Sequence, residues 1–173
     1  VVNVSWLGEQ IERHLGVGER WNLKISVSHE ESPLETAGGI IKALPLLGDG
    51  PFLIANADVW TDYSFAELTG RTVGPATAHL VLVPNPPHNP TGDFSLQDGR
   101  VCFSGDASHT FAGLGLYDPG FFAGYEPGPR PLLPLLQRAI EDGRLSGELY
   151  SGLWNDVGTP GRLQELNTIQ SEL

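Results

Sequence analysis

Two aspartates far apart in the chain share one local grammar. Asp58 follows the apolar run Phe52-Leu53-Ile54-Ala55 and the pair Asn56-Ala57, inside PFLIANADVWTDYSF, residues 51–65. Asp156 follows Leu153-Trp154-Asn155, inside LWNDVGT. A short apolar run bounded by turn formers reads as a buried strand, so each carboxylate stands at a strand end. In an open parallel sheet, ligands sit beyond the carboxyl ends of the strands. Two carboxylates converging there make a hard oxygen site suited to Mg²⁺, which completes its shell with water and substrate phosphates. A desolvated, unpaired Asp is costly, so Asp58 is expected to find a partner. Taken singly, each Asp could instead cap a turn or a helix.

A second group lies upstream. Glu35-Thr36-Ala37-Gly38-Gly39 opens a helical stretch directly after a strand and loop. Adjacent glycines at a helix start let a flat ligand approach outward-pointing amides. No Gly-Lys-Ser/Thr follows, which excludes a P-loop, and no G-x-G-x-x-G is present, which excludes the dinucleotide fingerprint. The alternative for these glycines is close helix–sheet packing. Glu30, in His29-Glu30-Glu31, could accept a hydrogen bond from the N–H edge of a base such as uracil or guanine, or be a solvated loop charge. The histidines show no metal-ligand spacing, and His14 and His79 fit helix and strand positions without chemistry. Cys102 has no motif around it, and Ser104-Gly105 lacks the context of a nucleophile elbow.

The elements that must position these groups follow from periodicity. Strands are expected at Val1–Ser5, Leu23–Ser28, Phe52–Ala55, His79–Val83, Thr110–Tyr117 and Leu153–Asp156. Helices are expected at Leu7–Leu15, with Leu7, Ile11 and Leu15 on one face, in the middle of Glu35–Leu47, near Ser64–Leu68, at Leu132–Ile140 and at Pro160–Ile169. Pro45 should end or kink the second of these. Thr159 and Pro160 suit the N-cap and first position of the last. Gln97-Asp98-Gly99 between two short runs is a hairpin signal. The segment VPNPPHNPTG, residues 83–92, reads as a loop beside a site. Strand and helix alternate through the first half, which implies right-handed crossovers and an α/β fold with a mostly parallel sheet.

Composition narrows the partners. The 173 residues suit one domain with a substantial core, and 40% hydrophobic with 18% charged residues is globular rather than disordered. The formal net charge is −11 with two lysines, a balance that repels nucleic acid. No apolar run approaches the roughly 20 residues that cross a bilayer. The single cysteine excludes an internal disulfide and fits a reducing cytoplasm. The oligomeric state is left open. The sequence has no Met, and Val1-Val2-Asn3-Val4-Ser5 already alternates like a strand in mid-domain, so the natural N-terminus is expected to lie upstream.

The order PLETAGGIIKALPLLGDGPFLIANADVWTDYSF, then FAGLGLYDP, then SGELYSGLWNDVGTPGRLQE resembles the bacterial sugar-1-phosphate nucleotidyltransferases. Within them it is most similar to N-acetylmuramate-1-phosphate uridylyltransferases, which carry a near-identical ETGGGI, LPLLGD and N-G-D-V-W-T-D run. The match spans nearly the whole chain. The N-x-D-V-W-T-D and W-x-D-V-G-T elements are specific together; the glycine pair alone is weak.

The resemblance implies a Rossmann-like sheet with helices on both faces, and Asp58 and Asp156 holding a catalytic Mg²⁺. It implies Glu30, Glu35, Thr36, Gly38, Gly39 and Asn56 around the nucleotide, UTP being favoured. Gly92, Gly113 and Glu148 would border the sugar 1-phosphate. Ala57 replaces the usual Gly before the metal Asp, narrowing the space near the ribose. The family's L-A-A-G-x-G-x-R-M-x-P-L-T signature and its later P-K-P are absent, and the sequence offers no basic cluster beside the two aspartates. The family places those groups in a first βαβ segment, so this chain is expected to be inactive alone. The rival readings are a mannose-1-phosphate guanylyltransferase, which shares both Asp motifs, and a non-catalytic nucleotide-binding regulatory subunit.

Overall fold

The computed structural model describes residues 1–75, 77–103 and 108–172; Ser104 and Gly105 lie outside the described residues. The chain forms β1 (Val2–Val4), α1 (Gly8–Leu15), β2 (Val27–His29), α2 (Glu35–Leu47), β3 (Phe52–Ala55), β4 (Val59–Thr61) and α3 (Phe65–Thr69). It continues with β5 (Ala78–Val83), β6 (Ser95–Gln97), β7 (Arg100–Cys102), β8 (Thr110–Tyr117), α4 (Leu133–Glu141), β9 (Leu145–Leu149), β10 (Trp154–Asp156) and α5 (Pro160–Glu172). The fold is α/β.

Six strands form a mixed sheet in the order β3-β8-β5-β9-β7-β6. β8 is antiparallel to both β3 and β5, so β3 and β5 run the same way with β8 between them. β9 lies parallel to β5. Every residue of β5 is buried, as an interior strand covered on both faces requires. Leu80 and Leu82 face a core with Ile40, Phe52, Phe122 and Leu136, roofed by α2 and α4. Val81 and Val83 face a second core with Tyr63, Leu68, Leu114 and Leu116. The β6–β7 turn has Asp98 at φ 50° and Gly99 at φ 75°, the left-handed pair of a two-residue hairpin.

Several boundaries differ from expectation. Leu7 adopts φ 57° ahead of α1, and no α1 residue is buried: its apolar stripe faces outward at Leu7 and Ile11. The Leu23–Ser28 alternation shrinks to β2, because only Val27–His29 has a partner strand, β1. α2 runs through Pro45 to Leu47, since that proline sits in the last turn and removes a single bond. β4 and β9, short and mixed in polarity, were not anticipated.

Among the described residues β1 pairs only with β2, and β3 only with β8, so each has a bare backbone edge. Between them opens a cleft of ≈ 680 Å³ lined by Val1, Val2 and Asn3 on one side and Phe52 to Ala57 on the other. Its floor is α2, through Gly39, Ile40 and Ala43.

A buried histidine stands on the face of β5 that meets the second core. His79 on β5 places Nδ1 2.9 Å from Ser146 Oγ and Nε2 3.7 Å from Glu148 Oε1. Burial, then the Arg71 guanidinium, lowers its pKa from 6.5 against the opposing pull of Glu148. The folded protein therefore keeps His79 neutral where the unfolded chain takes a proton, and stability falls as pH drops below 6.5. Urea unfolding at about pH 7.5 and about pH 5.5 should show a smaller loss for His79→Gln than for the wild type. An identical loss in both would place the acid sensitivity elsewhere.

Candidate active site

The two specific motifs are held together by their own side chains. β4 and β10 form an antiparallel pair with Asp156 opposite Val59. Thr61 Oγ1 donates to the Leu153 carbonyl at 2.7 Å, and the Leu153 amide donates to Asp62 Oδ1 at 2.8 Å. Trp154 Nε1 donates to the Ala112 carbonyl on β8 at 2.9 Å, anchoring the pair to the main sheet. The Val157 amide donates to the Asp58 carbonyl at 2.7 Å. The Trp-Thr-Asp of one motif thus fixes the Trp-Asn-Asp of the other, and the consequence is that Asp58 and Asp156 share one cleft.

That cleft, of ≈ 240 Å³, is lined by Asn56, Asp58, His88, Asn89, Asp93, Thr110, Gly113 and Asp156 among others. Asp58 is exposed, and among the described residues its carboxylate has no hydrogen-bond partner. The expectation of a desolvated Asp58 needing a partner is corrected: it lies beyond the strand end, where solvent reaches it. Asp156 is different. Arg162 Nη1 donates to its Oδ1 at 2.8 Å, and His88 Nε2 lies 3.1 Å from Oδ1 and 3.2 Å from Oδ2. The sequence showed no basic cluster beside the aspartates; the structure brings one arginine and one histidine to Asp156, which are not a triphosphate cradle.

The loop at residues 83–92 does border the site. Asn85 Oδ1 accepts from Thr110 Oγ1 at 3.0 Å, and Asn89 Nδ2 reaches Thr110 Oγ1 and Asp93 Oδ1, both at 3.1 Å. Asp93 Oδ2 accepts from the Phe111 amide at 2.8 Å. This chain of bonds pins the loop to β8 and delivers His88 to Asp156. Gly113, at φ 73°, sits where β8 slips register against β5; a Cβ there would lie 2.8 Å from Asn56 Nδ2. Only glycine lets Asn56 fold in at that bulge. Gly92, at φ 65°, packs against Asn85 and His109 and is not among the residues lining the cleft.

The upstream residues line the neighbouring cleft between β1 and β3: Glu30, Glu35, Thr36, Gly39 and Asn56 all border it. Asn56 belongs to both clefts, so they meet end to end. Glu30 is already committed, accepting from Asn3 Nδ2 at 3.0 Å and from the Leu34 amide at 3.0 Å. Glu35 is exposed and held at φ 58°, a strained backbone at the mouth of the cleft. Gly38 faces away: a Cβ there would meet the Gly128 carbonyl at 2.3 Å, and its amide donates to the Arg130 carbonyl at 3.1 Å. Its role is close packing. Glu148 is likewise outside both clefts, its carboxylate held by Tyr63 at 2.5 Å and by Arg71.

Sequence reasoning missed His88, Asn89, Asp93, Thr110 and Arg162. Arg162 carried a usable signal. It sits in the first turn of α5, behind the Thr159 cap that its amide contacts at 3.3 Å, where the helix macrodipole disfavours a cation. A basic side chain at that end points to an anionic partner nearby.

The donor set suits a divalent cation: two carboxylates in one open cleft, one of them without a protein partner. Among the described residues no group of three or more His, Cys, Asp or Glu could hold a metal, so the remaining ligands would be water and substrate oxygens. Among the described residues no helix is long and apolar enough to cross a membrane.

The nucleotidyl transferase family matches residues 1–94. The chain is 45% identical over 177 aligned positions to an N-acetylmuramate alpha-1-phosphate uridylyltransferase of Neisseria meningitidis serogroup B, covering 98% of this chain and 77% of that protein. It is 35% identical to a protein of the same description from Caulobacter vibrioides, covering 92% and 72%. A putative glucose-1-phosphate thymidylyltransferase from Bacillus anthracis superposes with a TM-score of 0.78 at 18% identity, covering 95% of this chain and 72% of that one.

Proposed function

The chain belongs to the nucleotidyl transferase family, and from that premise we propose that it is the catalytic part of a uridylyltransferase acting on N-acetylmuramate 1-phosphate. The observation that carries the reading is the pairing of Asp58 with Asp156 in one cleft, continuous through Asn56 with the cleft of Glu35, Thr36 and Gly39. A phosphate oxygen of the sugar 1-phosphate attacks the α-phosphorus of UTP. The bond from that phosphorus to its bridging oxygen breaks, and pyrophosphate leaves with the electron pair. Asp58 and Asp156 would hold Mg²⁺, which when bound offsets charge on the reacting phosphates. The protein otherwise positions the reactants rather than bonding to them.

In this reading the base lies along α2. Glu30, with both oxygens occupied, braces the loop through Asn3 and Leu34. The acceptor open to an N–H edge is Glu35, whose left-handed backbone directs it from the helix start. Asn56 closes the junction between base and phosphates. A UDP-sugar product, rather than the GDP-sugar of a mannose-1-phosphate guanylyltransferase, is supported by the 45% identity to a uridylyltransferase.

Gly39 tests the base pocket. A Cβ there would stand 2.6 Å from Glu30 Oε1 and 2.8 Å from Asn3 Nδ2, so a side chain must push into the cleft or displace both. Gly39→Leu should raise the KM for UTP by roughly tenfold or more, the equivalent of one lost contact, while leaving the KM for sugar phosphate within about twofold. Steady-state kinetics with each substrate varied in turn checks this. An unchanged KM for UTP would move the base elsewhere.

A further inference from the structure

Arg162 holds a cation where the helix end disfavours one, so an anion must keep it there. That anion is Asp156, whose Oδ1 accepts from Arg162 Nη1 at 2.8 Å, with His88 Nε2 also 2.8 Å from the same nitrogen. The ion pair is sheltered: the two side chains are 26% and 25% exposed. It also reaches toward the second carboxylate. A Cβ on Gly158 would lie 2.9 Å from Arg162 Nη2 and 3.2 Å from Asp58 Oδ2, so the guanidinium borders the space where the two aspartates approach each other. Asp93, the other acid of the cleft, is spoken for by the Phe111 amide and Asn89. Arg162 is therefore the arginine that balances the Asp58–Asp156 pair.

We propose that Arg162 is the resident counter-ion of Asp156 and competes with the divalent cation for it. The proposal rests on the cation reading of the cleft given above. A dication arriving at Asp156 must either break the Arg162 bond or sit beside a like charge, and both lower its affinity. Arg162 is thus a positioning residue that sets how readily the carboxylate pair is loaded. A residue that merely braced the fold or oriented Asp156 would have the opposite effect: its removal would loosen the site and weaken the ion.

Mn²⁺ titration, followed by the electron paramagnetic resonance signal of the free ion, separates these. Arg162→Met should bind Mn²⁺ about two- to fivefold tighter than the wild type, the scale of a partly exposed ion pair. Arg162→Lys, which keeps the charge, should stay close to wild type. If Arg162→Met melts early, Arg162→Gln carries the same expectation. Unchanged or weaker binding in the neutral variants overturns the proposal. Asp156→Asn distinguishes a deeper failure: wild-type Mn²⁺ affinity in that variant would place the ion away from the aspartates and remove the cation reading itself.

Discussion

Asp58→Asn should reduce nucleotidyl transfer by a factor of about 10²–10³ or more, the scale on which losing one preorganised charge-stabilising group is felt. Asn keeps the shape and one oxygen but not the charge that a hard dication requires. The variant is clean because the Asp58 carboxylate has no hydrogen-bond partner among the described residues and is exposed. The fold does not rest on it, and thermal unfolding should be nearly unchanged. Asp156→Asn should cost turnover on the same scale but is less clean, since it releases Arg162 and His88 as well. Wild-type kcat in Asp58→Asn would remove Asp58 from the chemistry.

The second large effect concerns the cleft between β1 and β3. Both strands turn an unpaired edge to it, and its walls are largely apolar, from Val1 and Val2 to Leu53, Ile54, Ile40 and Leu47. Such a slot can hold one more extended segment, hydrogen-bonded on both sides, and while open it is an aggregation hazard. We propose that a segment of the family's G-x-G-x-R kind fits this slot and would bring the amides and cations that a triphosphate needs. The arginine and histidine at Asp156 cannot do that alone. A polypeptide extended by that segment should turn over faster than residues 1–173 by at least about 10²–10³, the cost of a single missing donor, since several are supplied together. It should also unfold at higher temperature. Equal turnover and equal melting would mean that the phosphate site lies elsewhere.

Much of the fold was legible because its elements are long or sharply punctuated. The apolar run of β5 and the Asp98-Gly99 hairpin signal each match the structure closely, and a helix stands where α2 was expected, although it continues through Pro45. What could not be read depends on contacts distant in sequence. α1 shows a clear apolar stripe, yet that stripe is exposed, because periodicity reports a face and not what covers it. The placement of β8 between β3 and β5 leaves no trace in local pattern. At the site, Asp58 and Asp156 were visible from strand-end context, but Thr61 and Asp62, which bind them into one cleft, act across more than ninety residues. Glu30 and Gly38 suited a base by type; packing gave Glu30 to Asn3 and Leu34, and Gly38 to the loop at Gly128.

The most direct test is ³¹P nuclear magnetic resonance on the polypeptide carrying that G-x-G-x-R segment, incubated with UTP, N-acetylmuramate 1-phosphate and Mg²⁺. Resonances of pyrophosphate and of a UDP-sugar should grow together in equal amounts with the wild-type sequence. Neither should grow appreciably with Asp58→Asn. Equal product formation by both proteins would contradict transfer at the Asp58–Asp156 cleft, and orthophosphate released without any UDP-sugar would contradict nucleotidyl transfer altogether.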